Sequence, residues 1–543
     1  MPVAADAPPA PEAARALGDD AGFRLLAQLV AIAPTNVEDP VHGRYEKPNF
    51  LRASDAIVRA ARSFGLATRV FDPLVAGAGE ADLHGLPRPN VIVDLDAGAP
   101  STVLVLAHYD VVPVPAEQLS RWKSPPHTLT YRENGRLYGR GANDDLGSGV
   151  VGSLMAMRRL AEAERLPHNV RLIAACDEET GGEGGIESIK AHDLARAPDD
   201  PERFLRADVA LIPDGSPEVT AGSSGVAFLD GSFARPPSVA RTLAYGDALV
   251  GLHDVARGWR SVYASPDWPD RHAPDPVITG RATVTRFDWT APAPTGSELS
   301  LVAAHAENDA ANQIARAVTL VFAGPAIARA AIRARLEPLL AAPFRLVDAG
   351  PTALAVPPDA LALQLIGEAA HGGYPHRGHN PVPAALRLLR AAVDRGWIDG
   401  TSVGAATFSV DLRLIPEMEL ADGLRAALAY ATAWGAAHDP SVRLEAPPGR
   451  VRPGYSLPVD HPAVQKLARI LADTLGAHGV FGEYGGTDAS ALRGLGTPSG
   501  APLPALVFGS MDPAANIHDA EESADPRLIA GVAASIERYV REP

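Results

Sequence analysis

Between about residue 90 and residue 215 the chain alternates short apolar runs with helix-patterned stretches, and that rhythm restricts the fold more than any other feature. "NVIVDL" and "TVLVLAHYD" read as buried strands, "GSGVVGSLMAMRRLAEAER" as a helix, and "NVRLIAAC" and "ADVALIPD" as further strands. Strands separated by helices predict an α/β domain with a mostly parallel sheet and helices on both faces.

The rhythm changes after about Glu218. Residues 235–300 are rich in Pro, Trp and Asp with weak periodicity ("ASPDWPDRHAPDP", "DWTAPAPTG"). Helical patterns are expected over 305–340 ("AHAENDAANQIARAVTLVF", "AIARAAIRARLEPLL"). Strand-like "ALALQLIGEA", helical "NPVPAALRLLRAAVDRG", strand-like "GAATFSVDLRLI" and helical "LADGLRAALAYATAW" follow. This predicts an antiparallel α+β domain inserted into the first, with "EAPPGRVRPG" as the return linker. "HPAVQKLARILADTLG", "ALVFGS" and "IAGVAASIERYVRE" resume the α/β style. The expected division is 1–218 and 452–543 for the α/β domain and 219–451 for the insertion, within which 235–360 is an extra stretch. At 543 residues the chain is too long for one ordinary core, which agrees with two domains. No repeat or coiled-coil heptad interrupts this reading.

Composition excludes several classes. A chain that is 46% hydrophobic and 21% charged, with both signs scattered, has a globular make-up. The net charge of -16, without a Lys/Arg-rich block, argues against nucleic acid and against an anionic membrane surface. No apolar run approaches the roughly 20 residues of a membrane helix. The opening "MPVAADAPPAPEAARALGDD" has neither a basic nor an apolar leader region, so no signal peptide and a cytoplasmic location are expected. A single cysteine, Cys176, permits no intrachain disulfide and suits a reducing compartment; it is expected in the core.

The chemistry lies where strands should end. His108 and Asp110 close one strand, Asp144 and Asp145 precede a helix, Glu178 and Glu179 follow a strand, Asp214 follows another, and His518 comes after "ALVFGS" and a loop. Singly these are turn or capping residues. Together they fall at the carboxyl ends of strands, where open α/β sheets bind ligands. Carboxylates converging there would repel unless cations neutralised them, and histidine with Asp and Glu suits zinc, cobalt or manganese.

The ordered set "HYDVVP", "GRGANDD", "DEETGG", "PDG", "YGGTDAS" and "HDAEE" resembles the dinuclear zinc peptidase family that includes aminoacylase-1, acetylornithine deacetylase, succinyl-diaminopimelate desuccinylase, glutamate carboxypeptidases and bacterial dipeptidases. The resemblance implies two divalent cations, most simply zinc, with cobalt or manganese as substitutes. Asp144 would bridge them, His108 and Asp214 would complete one, and Glu179 and His518 the other. Asp110 would orient His108, and Glu178 would be the general base. In "GEAAHGGYPHRGHNPVPAALRLL" the resemblance assigns His371 to the oxyanion, with His305 as runner-up and His376 and His379 on the surface. Arg413, in "SVDLRLIP", would hold a substrate carboxylate, with Arg452 a weaker candidate. Gly485, Gly486 and Thr487 would form the substrate-side loop, and Trp122 would pack the mouth of the site.

The pattern departs from the family at Leu146, where Lys is usual, and at Glu521, where Asn is usual. The implied activity is hydrolysis of a dipeptide or short peptide with a free carboxylate, the alternative being an N-acyl-amino-acid deacylase. The implied state is a monomer or homodimer.

Overall fold

The structure is a computed structural model. It describes residues 14, 16–35, 38–39, 44–45, 49–76, 86–114, 116–265, 277–294, 297–308, 313–350, 354, 356–447, 450–477 and 479–543. Most of the Ala/Pro-rich opening, 266–276 of the Pro/Trp/Asp-rich stretch, 309–312 of the run read as helical and 448–449 of the expected linker lie outside these. The chain divides into two compact units: 1–221 with 456–481 and 487–543, and 222–455 with 482–486. Their main boundaries are at 221/222 and 455/456. The stretch "GEYGG" (482–486), read as part of the α/β domain, belongs instead to the inserted unit, and with it Gly485 and Gly486.

In the first unit the strands Ala505–Val507, Val209–Ile212, Ser101–His108, His168–Ala175, Asn90–Leu95 and Ala67–Phe71 lie side by side in that order. The first four are mutually parallel, Asn90–Leu95 runs antiparallel to them, and Ala67–Phe71 pairs antiparallel with Asn90–Leu95. Asn90–Leu95 reverses because residues 96–100 are too few for the crossover helix that a parallel return needs. The helix Pro526–Arg541 buries Ile529, Val532, Ile536 and Val540, an apolar stripe at helical spacing, against Pro462–Leu475, Ser153–Ala161 and the strand His168–Ala175. All four parallel strands point their carboxyl ends the same way. His108 ends one, Asp177–Glu179 follow another, Asp214 follows a third, and the fourth feeds the loop to His518.

The inserted unit is an antiparallel sheet in the order Arg345–Asp348, Leu361–Ile366, Ala317–Ala323, Ser300–Glu307, Arg281–Thr290, Ala405–Arg413, Val226–Phe233 and Val442–Glu445. The helices Val239–Arg257 and Pro381–Asp394 pack on the strand Arg281–Thr290. Two expectations fail here. The run 304–322, read as helical, instead supplies the strands Ser300–Glu307 and Ala317–Ala323. Its alanines favour helix, but Val318, Thr319 and Val321 pack in the middle of a sheet, and tertiary pairing overrides a weak propensity. The weakly periodic 235–300 contains the 19-residue helix Val239–Arg257 and the strand Arg281–Thr290. That helix is buried on several sides, so it lacks the amphipathic contrast by which a surface helix is read. The 235–360 stretch therefore builds the centre of the inserted sheet and is not an appendage to it. Among the described residues no helix is long and apolar enough to cross a membrane.

Candidate metal centre

His108 is the last residue of a fully paired, buried strand, and its ring is fixed from behind. Nδ1 lies 3.1 Å from the Asp110 backbone carbonyl and 3.3 Å from Asp110 Oδ1. With acceptors at Nδ1, the proton belongs there and Nε2 offers its lone pair forward. Nε2 faces Asp145 Oδ1 at 3.6 Å and Asp214 Oδ2 at 3.8 Å. The Asp110 carboxylate also accepts from the backbone N–H groups of Glu178 and Glu179, each at 3.0 Å. One buried acid thus ties the end of one parallel strand to the loop after its neighbour.

Asp144 and Asp145 open a π-helix, Asp144–Gly152. The Ser148 N–H donates to the Asn143 carbonyl at 2.8 Å and the Leu146 N–H to the Gly141 carbonyl at 3.1 Å, bonds five residues apart. Side chains cannot fit inside this turn. A Cβ at Gly147 would sit 2.4 Å from the Ala142 carbonyl oxygen, and one at Gly149 2.7 Å from that of Asp144. Both acids are buried by this turn and brought to one side. One donor set joins His108, Asp145 and Asp214 and a second joins Asp144, Asp145 and Glu522, the donor atoms of each set lying within 4.8 Å of one another.

The electrostatics of this cluster favour a cation. Burial, then the charges of Asp214 and Glu522, push Asp144 up to about 8. Burial and Asp144 hold Asp145 well above the carboxylate range. Burial also raises Glu522, although Arg140 opposes it. Asp144 Oδ1 is buried without a hydrogen-bond partner, an arrangement that costs free energy unless a cation satisfies it. Opposite, His518 Nε2 lies 3.0 Å from Glu179 Oε1. Desolvation on the side facing the acids works against the imidazolium, but Glu179, Glu522 and Asp144 outweigh it and raise His518 to about 9, although its side chain is 44% exposed. Carboxylate oxygens and imidazole nitrogens at this spacing fit a divalent cation of hard to borderline character. Cys176 is not among the donors: it is fully buried, and burial pushes its thiol pKa up.

The model of "Peptidase family M20/M25/M40" matches residues 104–542. The chain belongs to this family. Among relatives of this M20 chain, an uncharacterized metallohydrolase of Methanocaldococcus jannaschii is 31% identical over 27% of this chain and 35% of its own length. A Cys-Gly metallodipeptidase of Schizosaccharomyces pombe is 28% identical over 37% of this chain and 42% of its own. The similarity thus spans well under half of these relatives. Fold likeness is longer-ranged: an M20 family metallo-carboxypeptidase from Sulfolobus solfataricus superposes with a TM-score of 0.54 over 96% of this chain and 99% of that one, at 13% identity.

The remaining expected residues of this M20 chain lie mostly in the inserted unit. His371 Nδ1 accepts from the Gly373 N–H at 3.1 Å, so its proton sits on Nε2. His305 is paired with Asp288 at 2.7 Å, and His379 with Glu368 at 2.9 Å on the surface. Arg413, expected to meet a substrate carboxylate, has protein partners on Nε, Nη1 and Nη2. Its Nε and Nη2 are held by Asp411 at 2.6 and 2.8 Å, its Nη1 donates to the Tyr484 carbonyl at 3.0 Å, and its side chain is 2% exposed. The fork expected to grip a substrate carboxylate is already taken. Arg281, directly opposite on the neighbouring strand and not singled out from the sequence, donates to the Gly373 carbonyl at 2.6 Å and stacks on the Tyr484 ring. Arg413 thus holds the backbone of Tyr484 and Arg281 its ring, next to Gly485, while Gly486 lies beside Arg452. Thr487, in the first unit, caps a short turn by accepting from the Ala489 N–H at 3.2 Å. Trp122 is buried with Arg140 over its ring, and Leu146 is a core residue.

Sequence reasoning did not assign Asp145 and Glu522 to the cluster. The first was visible as half of an Asp-Asp pair. Only the π-turn, signalled by the closely spaced Gly147 and Gly149, puts both acids inward. Glu522 gave no such signal beyond its place in "HDAEE".

Proposed function

We propose that this M20 chain is a hydrolase that uses two divalent cations, zinc before cobalt or manganese, to cleave the amide bond of a dipeptide or short peptide bearing a free carboxylate. The observation that carries the reading is the pair of donor sets sharing Asp145 at the carboxyl ends of parallel strands. His108 and Asp214 would hold one cation and Glu179 and His518 the other, with the Asp144–Asp145 pair between them and Glu522 alongside. Bound there, the cations would polarise the scissile carbonyl and acidify the attacking water. Glu178, next to ligand Glu179 and half-buried, receives the water's proton and returns it to the departing amine. His371, with its proton on Nε2, is the proposed donor to the developing oxyanion. Gly485, Gly486 and Thr487 are the proposed substrate-side loop, and Arg413 supports that loop through Tyr484.

Similarity to a Cys-Gly metallodipeptidase favours a dipeptide over an N-acyl amino acid. The test is to strip the protein with a chelator, restore it with zinc, cobalt or manganese, and assay dipeptides beside acetyl- and succinyl-amino acids. Restored cleavage of dipeptides alone supports the reading, and cleavage of the acyl amino acids alone replaces it with the deacylase. Full activity of protein shown by elemental analysis to be metal-free rejects the cation reading.

A further inference from the structure

The loop 508–522, which delivers His518, is held in an unusual way. Three of its non-glycine residues, Asn516, His518 and Glu521, have left-handed backbone angles (φ 52°, 64° and 64°). Side chains rarely adopt that conformation without outside constraint. The His518 side chain is itself 44% exposed, so packing does not immobilise it.

The constraint comes from one segment, 118–141. Arg136 forks onto Asp512 at 2.7 and 2.9 Å. Arg121 forks onto Asp519 at 2.7 Å on both arms. Arg132 forks onto Glu521, which also accepts from the Lys123 N–H at 2.7 Å, and Arg132 stacks on the Tyr138 ring. Arg140 pairs with Glu522, both fully buried, and Glu522 accepts from the Gly141 N–H at 2.8 Å. Four arginines therefore meet four acids that bracket His518. Glu521, as a carboxylate, takes Arg132 as a charged bidentate partner.

We infer that this arginine ladder is a positioning device: it holds the strained loop so that His518 faces Glu179, and it thereby sets the affinity of the cation bound by that pair. The inference rests on the two-cation reading above. Arg121, Arg132 and Arg136 touch neither substrate nor cation in this scheme. They act through the backbone of the loop.

The test measures metal binding as well as rate. Wild type, Arg132→Met, Glu521→Gln, Arg121→Gln and the exchange Arg132→Glu with Glu521→Arg are freed of metal and titrated with cobalt ions by equilibrium dialysis. Wild type should take two equivalents. Arg132→Met and Glu521→Gln should keep the tighter one and weaken the other by about tenfold or more, the scale of losing one charge-assisted partner. Turnover should fall with occupancy and recover at saturating cobalt, with KM unchanged, and the exchange should restore much of the affinity. Arg121→Gln, at an exposed pair that folding does not require, should shift the weaker equivalent in the same direction by less, so the ladder stays testable even if Arg132→Met fails to fold. Wild-type affinity for both equivalents in Glu521→Gln and Arg121→Gln overturns the ladder while leaving the two-cation reading intact. A wild type that holds only one equivalent overturns the two-cation reading, and the ladder with it.

Discussion

Asp110 accepts from two successive backbone N–H groups while facing the His108 ring, so it fixes that imidazole on one side and the Glu178–Glu179 backbone on the other. That division of labour separates the two adjacent glutamates and can be tested residue by residue. Glu178→Gln should keep its cations and lose turnover by on the order of 100- to 10,000-fold, the range for a missing general base. His518→Ala should lose cation and activity together. Metal content and steady-state kinetics on the two variants decide it, and a Glu178→Gln protein without metal would mean base and ligand are exchanged. Arg413 leads to a different expectation. Arg413→Ala strands Asp411, which is fully buried, so stability should drop by about 3–5 kcal/mol. Free-acid substrates and their amides should suffer alike. A selective loss for free acids, with unchanged denaturant midpoint, would return Arg413 to the substrate.

At the scale of elements, the π-turn Asp144–Gly152 turns a sequence pair into a pair of buried carboxylates. Glycine at 149 keeps the Asp144 carbonyl in place, since a methyl there would press on it. Gly149→Ala should therefore cost about 1–3 kcal/mol, as for overpacking, and also weaken cation binding. Thermal melts with and without zinc measure both terms. An alanine variant of unchanged stability and affinity would show that the turn does not depend on the missing side chain. The four parallel strands and Asn90–Leu95 were readable because each is a short apolar run closed by a polar residue, whereas the half-exposed edge strand Ala67–Phe71 was not read. Ser300–Glu307 and Ala317–Ala323 were not, because alanine-rich strands in the middle of a sheet carry no alternation and mimic helix composition.

For the molecule as a whole, the acid cluster links metal, proton and stability. Asp144, raised to about 8, keeps a proton in the folded state that the unfolded chain releases near pH 4, so its contribution falls as pH rises between those values. His518, raised to about 9, contributes stability that is fully present below about pH 6.5 and lost as pH climbs through about 9. Both act in the same direction. Metal-free protein should therefore lose stability steadily from about pH 5 to about pH 9, while the stabilisation added by zinc should grow over the same interval because ionised carboxylates and neutral imidazole are the binding forms. Melting temperatures across this range, with chelator and with zinc, give both curves. A metal-free protein that gains stability toward pH 9 contradicts the assignment.

The positions of His108, Glu178, Glu179, Asp214 and His518 at strand ends were legible from order alone, because a buried strand announces its end by its first polar residues. A change of rhythm after about Glu218 suggested a second unit, and the compact unit of the structure covers 222–455 with 482–486. Three things were not legible. Asp145 and Glu522 join the cluster only through a turn geometry and an ion pair with Arg140, neither of which leaves a periodic trace. Arg413 matched a motif, yet its neighbour two residues back, Asp411, takes the fork, and only the folded strand shows which partner is nearer. The ladder from Arg121 to Arg140 pairs residues almost 400 positions apart in the chain, and charge pairing across that separation depends on the pairing of the short strands Leu137–Tyr138 and Ser523–Ala524, which brings the two segments together.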